Sequence, residues 1–206
     1  MTSDWAAALP GFGVLRSLHL VRRIGPVLQG VCLDRSTSGD GYFPTAHVHA
    51  LTREFPVISL TLGHHLERPS GQPETVLFIR HEGEFRRAAD ALKAQSRLSL
   101  DAPPSLEEIV REYHLSSLAR QHKGLPPAVL EMEDSVLIAA VAGRRDLVEV
   151  GLAIAADLAV TWPKARLPLD WASADAWLES LRNKADDPET LAATVSSEVA
   201  MHKLRD

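Results

Sequence analysis

Disulfides, long apolar runs and glycine-rich phosphate loops are all missing from this chain of 206 residues, and each absence removes a class of protein. With a single cysteine, Cys32, no internal disulfide can form, so the core alone must hold the fold and a reducing, cytoplasmic setting is expected. Cys32 lies in an apolar strand pattern, where a thiol is expected to be inert. The longest apolar run, Gly151 to Val160, is interrupted by Asp157 and is too short to span a bilayer, so no membrane partner is expected. The first residues, MTSDWAAALPGFG, lack the basic and apolar regions of an export signal, and Ser3-Asp4 reads as a helix cap. Aromatic residues make up only 5% and are not interleaved with the basic ones, while the net charge is −5. Both features argue against nucleic acid as a partner.

Catalytic signatures are equally scarce. GFG at residues 11–13 and GDG at 39–41 have neither the spacing nor the strand-to-helix setting of a phosphate loop, and they read as turns. HExxH, paired CxxC and GxSxG do not occur, so zinc-protease, zinc-ribbon and serine-hydrolase chemistry have no sequence support.

What is present describes a globular protein: 45% hydrophobic and 24% charged residues, on a chain long enough to bury a core without staples. From Val14 to Arg80 the hydrophobic period is two. LRSLHLVRR, VLQGVCLD, PTAHVHAL, PVISLTL and TVLFIR read as five strands, separated by Gly25-Pro26, the polar loop DRSTSGDG, a turn at 53–55 and the loop ERPSGQPE. Beyond Arg80 the period becomes helical. Phe85, Ala88, Ala89 and Leu92 line one stripe, which should lie against the sheet. Ser105 caps a second helix with Leu106, Ile109, Val110 and Leu118 as its apolar positions. Ser135 to Trp162 reads as a helical hairpin broken at Gly143-Arg144-Arg145, with Asp146 and Glu149 as an acidic capping box. Two further helices follow, around SADAWLESLRNK and after Asp187-Pro188. The expected class is therefore α+β: an antiparallel four- to five-stranded meander covered on one face by helices, followed by a C-terminal helical bundle. The sheet portion is placed at residues 1–100 and the helical portion at 101–206, packed as one compact unit.

Nine histidines are the compositional oddity. Side chains alternate along a strand, so His47 and His49 point to one side of PTAHVHAL while Ala46, Val48 and Ala50 point to the other. The same alternation puts Ser59 and Thr61 on the histidine side of the next strand and His19 on that side of the first, with Arg23 near its edge. These six residues are the candidate binding surface, expected to form a solvated polar face. Two histidines at i and i+2 also have the spacing of a zinc site, with His19 or His64-His65 as a third ligand. Against zinc, the strands bring no carboxylate except a terminal Asp34, so the second shell of a catalytic metal is missing. No cofactor and no catalytic residue is assigned on this reading. His81 with Glu82 and Glu84 could form a small acid-base group. The arginine clusters at 16, 22–23, 86–87 and 144–145 read as solvated surface, and the four tryptophans read as core. The expectation for function is a bacterial interaction protein, an immunity-type inhibitor or accessory subunit, whose acidic charge suits a basic partner. The alternative is an enzyme using the histidine face, with or without a metal, on a phosphorylated or nucleotide-like molecule.

Overall fold

The structure, a computed structural model, describes residues 1–163, 167 and 171–204. The chain divides into two compact units, one of residues 1–49 and 57–104 and one of residues 50–56 and 105–205.

The first unit opens with α1 (Thr2–Ala8) and contains an antiparallel sheet of β1 (Gly13–Arg16), β2 (His19–Ile24), β3 (Val27–Arg35), β4 (Gly41–Ala50), β5 (Thr61–His65) and β6 (Val76–Leu77), followed by α2 (His81–Gln95). The strands lie in the order β1-β2-β3-β4-β5, and β6 pairs with the start of β4. Trp5 and Leu9 of α1 and Ala88, Ala89 and Leu92 of α2 form one buried cluster with Leu20, Val31, Leu33, Tyr42 and Ala46 of the sheet. One face of the meander is thus sealed by helices. Ile24 pairs with Val27 across the two-residue turn Gly25-Pro26, where Gly25 takes a φ of +56°, a left-handed conformation that favours a residue without a Cβ.

Three strand boundaries differ from the sequence reading. The first strand is a hairpin, β1 and β2, turning at Ser17-Leu18. Leu18 adopts a φ of +64°, held there because its N–H donates to Thr2 Oγ1 and its carbonyl accepts from Leu33. No glycine marked this turn. The fourth strand begins at Thr61 instead of Pro56, because Ser59 N–H is captured by the His49 ring and cannot enter the ladder. The fifth is only Val76-Leu77, since Phe78 to Arg80 wind into a 3-10 turn leading into α2.

The second unit holds α3 (Leu106–His122), α4 (Val129–Val141), α5 (Arg145–Thr161), α6 (Ala174–Ala185) and α7 (Pro188–Met201). Ser105 and Glu108 form a complete capping box, Ser173 caps α6, and Asp187 caps α7 ahead of Pro188. α5 departs from expectation: it starts at Arg145 without a side-chain cap, because Asp146 lies inside the first turn and pairs with Arg144. Ser3-Asp4 likewise sits inside α1, whose cap position is Met1. Trp162, Trp171 and Trp177 pack on one another with ring centroids 5.3–5.7 Å apart, and Trp177 Nε1 donates to Glu133 at 2.8 Å. That spacing is filled contact between rings, which leaves no room for a ligand between them.

Candidate functional site

Alternation along the strands places most of the candidate residues on one side of the sheet, and the structure joins them into two small groups. His19 Nε2 meets His47 Nε2 at 2.8 Å. Separately, His49 Nδ1 lies 2.9 Å from Ser59 Oγ, which is itself 2.9 Å from Thr61 Oγ1. Arg23 belongs to neither group. It lies at the far end of β2, where its Nε donates to the carbonyl of Gly25.

The face is not solvated, which corrects the sequence reading: His19, His47 and His49 are 1%, 3% and 2% exposed. Gly30 of β3 explains part of this burial, since a Cβ there would lie 2.2 Å from His47 Nε2. The imidazole occupies the volume that any other residue at position 30 would fill. Burial disfavours the charged ring, so His47 is pushed down to about 3, with the neighbouring His19 acting in the same direction. His19 is pushed down to about 4 by burial and then by Arg16, with Asp34 pulling the other way. Both rings are neutral at pH 7. One Nε2 must therefore carry a proton and the other a lone pair, so the two rings hold opposite tautomers. Their Nδ1 atoms are buried without a protein partner.

Asp34, the one carboxylate read on these strands, is engaged by other side chains. Asp34 Oδ1 accepts from Cys32 Sγ at 3.0 Å and its Oδ2 accepts from Thr45 Oγ1 at 3.0 Å, while Thr45 also meets His65 Nδ1 at 2.8 Å. The carboxylate tethers neighbouring side chains and makes no hydrogen bond to His19 or His47. Burial, then the bond to Asp34, pushes the Cys32 thiol up to about 12, so it is a poor nucleophile.

Zinc needs three or four ligands. His19 and His47 supply two, but among the described residues no further His, Cys, Asp or Glu offers an atom within 4.8 Å of both. Ser59 and His49 resemble a nucleophile and its base, but Ser59 N–H already donates to His49 Nδ1 at 3.1 Å. The one lone pair that would take the serine proton is engaged by backbone.

His81 finds different partners from those expected. Its Nε2 donates to Asp4 at 2.9 Å and its Nδ1 accepts from Tyr42 Oη at 2.8 Å, and Trp5 Nε1 donates to the same hydroxyl at 3.0 Å. Every polar atom in this chain is satisfied and Tyr42 is fully buried, so it clamps α1 to the sheet. Arg22, read as surface, is buried: its guanidinium bonds Gln29 and the carbonyls of Ser99 and Ala102. Arg144 and Arg145 are paired at the surface with Asp146 and Asp186.

α3 carries exposed apolar side chains at helical spacing. Leu118, read as core, is 45% exposed and Leu115 is 52% exposed, while Ile109, Val110, Tyr113 and Ser117 turn inward. Arg111, Leu115, Leu118 and His122 recur at i, i+4, i+7 and i+11, which is one face of a helix. Gly124 then takes a φ of +63°, and Leu125 N–H returns to the carbonyl of Arg120 at 3.0 Å, folding a 45% exposed Leu125 back beside the last turn. Exposed Arg111, His122 and Lys123 flank the leucines.

No family model, curated protein or solved structure matches the chain. Among the described residues, no helix is long and apolar enough to cross a membrane.

Proposed function

We propose that the chain works by binding a protein partner through the outer face of α3, as an inhibitor or accessory subunit does. The observation that carries this reading is the exposed row Leu115, Leu118 and Leu125 on a helix whose opposite side is already buried in its own unit. Large apolar side chains grouped at helical spacing and rimmed by charge are the pattern of a helix face that docks in a groove. The rim of this face carries both signs, with Arg111 and Lys123 beside Glu107 and Glu108, so a groove with charges of both signs fits it. The enzymatic alternative is less well served, because His19 and His47 are buried and neutral and the His49 lone pair is engaged.

A photo-crosslinking amino acid placed at position 118 in the living source cell tests the reading. One heterologous protein should be captured, and the pair Leu115→Glu, Leu118→Glu should reduce its co-purification by about a hundredfold, as expected when central apolar anchors are lost, without lowering the melting temperature. Crosslinking to a second copy of the chain, or undiminished co-purification of the charged variant, would contradict it.

A further inference from the structure

Residues 50–56, ALTREFP, belong to the helical unit although they follow directly on β4 in the chain. Leu51 and Thr52 are buried, and two polar contacts hold the residues beyond them. Arg53 Nη2 donates to Asp134 Oδ2 of α4 at 3.0 Å, and Phe55 N–H donates to Glu198 Oε2 of α7 at 3.3 Å. Asp134 is 1% exposed, and only one of its oxygens has a hydrogen-bond partner in the protein; the other, Oδ1, is buried without one. Tyr113 of α3 is fully buried, its hydroxyl is likewise without a hydrogen-bond partner, and it interacts with the same carboxylate.

We propose that Arg53 and Asp134 form a proton-operated latch: the carboxylate holds the strap through Arg53, and protonation of Asp134 lets Arg53 go while Tyr113 takes over as the partner of the neutral acid. The arrangement suits such a switch for three reasons. Leu51 and Thr52 stay buried, but the Arg53 side chain itself is held by a single charged contact, so removing one charge frees the strap from Arg53 onward. The guanidinium is a quarter exposed and regains water when released, whereas the carboxyl cannot reach water and needs the tyrosine. The Phe55 contact at the other end does not involve Asp134, so release is local.

The charges that bear most on Asp134 are Arg53 from the strap and Glu133 and Glu131 from its own helix, with Tyr113 facing it from α3; α7 presents Glu198 to the strap instead. Burial outweighs the attraction of Arg53 and pushes Asp134 up to about 7, with Glu133 and Glu131 adding to the rise. The latch is therefore engaged above neutral pH and released below it.

Nuclear magnetic resonance of the intact chain tests this between pH 5.5 and 8.5, with three signals followed together: the Asp134 carboxyl carbon, the Arg53 guanidinium protons, and the heteronuclear NOE of the Arg53 and Glu54 amides. On lowering the pH, the guanidinium signals should broaden beyond detection and the amide NOE values should fall, both with the midpoint of the Asp134 carbon. Asp134→Asn, checked for folding by circular dichroism, should show the released signals at every pH. Guanidinium and amide signals that do not change across the Asp134 titration, an Asp134 carbon that does not titrate in this range, or a folded Asp134→Asn variant that retains the transition would each overturn the latch.

Discussion

Gly30→Ala is expected to lower the unfolding free energy by about 3 kcal/mol, a large loss for the smallest possible addition of a side chain. The new methyl would lie 2.2 Å from His47 Nε2 and 2.5 Å from its Cε1, far inside contact distance. The ring is buried and bonded to His19, so it can yield only by breaking that bond and leaving a buried nitrogen unpaired. Overpacking of this kind costs about 1–3 kcal/mol, and the lost buried hydrogen bond adds about as much again. Alanine's restriction of the unfolded chain offsets only about 0.4–1 kcal/mol, because Gly30 is not in the left-handed region and gains that benefit in full. A double-mutant cycle with His47→Ala isolates the contact. In that background Gly30→Ala should be close to neutral, so urea denaturation of the four proteins should give a coupling energy above about 2 kcal/mol. Equal costs in both backgrounds would mean that the ring does not sit on Gly30.

The second large effect is acid destabilisation. His47 has a folded pKa of about 3 against 6.5 for a free imidazole. Because the folded value is the lower one, the unfolded chain binds the extra proton first as pH falls below 6.5, and stability declines until the folded ring also titrates. Between pH 6.5 and 4.5 His47 alone accounts for about 2 kcal/mol, and His19, with a folded value of about 4, adds nearly as much in the same direction. Asp134 opposes this. Its folded value of about 7 lies above the ordinary carboxyl value of 3.8, so its protonation restores stability as pH falls from 7 towards 4. In wild-type protein the two trends partly cancel. Asp134→Asn removes the opposing one, and denaturation of that variant should reveal a loss of about 3 kcal/mol or more from pH 6.5 to 4.5, steeper than in the wild type.

Much of the architecture was legible in the sequence because it rests on local signals. The change of period near Arg80, the cap at Ser105 and the Asp187-Pro188 start each depend on a few adjacent residues, and each is found where it was read. Alternation also identified correctly which side of β4 carries His47 and His49. It could not say whether that side meets water, because burial depends on what packs there, and the decisive partner, Gly30, is a residue with no side chain to notice. The turn at Leu18 was hidden because a long-range hydrogen bond from Leu18 N–H to Thr2, rather than a turn residue, holds it. On α3 the apolar residues serve two opposite faces, so Leu118 was grouped with Ile109 and Val110 although it lies with Leu115 and His122. Counting the positions from Arg111 at four, seven and eleven would have separated the faces. Arg22, Arg53 and Asp134 find their partners across 70 residues or more of chain, and no local pattern reports that.

The protein-binding role proposed for the outer side of α3 sets aside the histidine face as buried and uncharged, and the protonation state of two rings decides whether that face is what it is described to be. Nitrogen-15 spectra of the imidazoles at pH 5.5 measure it directly. The expected result is that His19 and His47 remain neutral, one protonated at Nε2 and the other at Nδ1. Imidazolium signals from both rings at that pH would contradict the account and return the face to solvent.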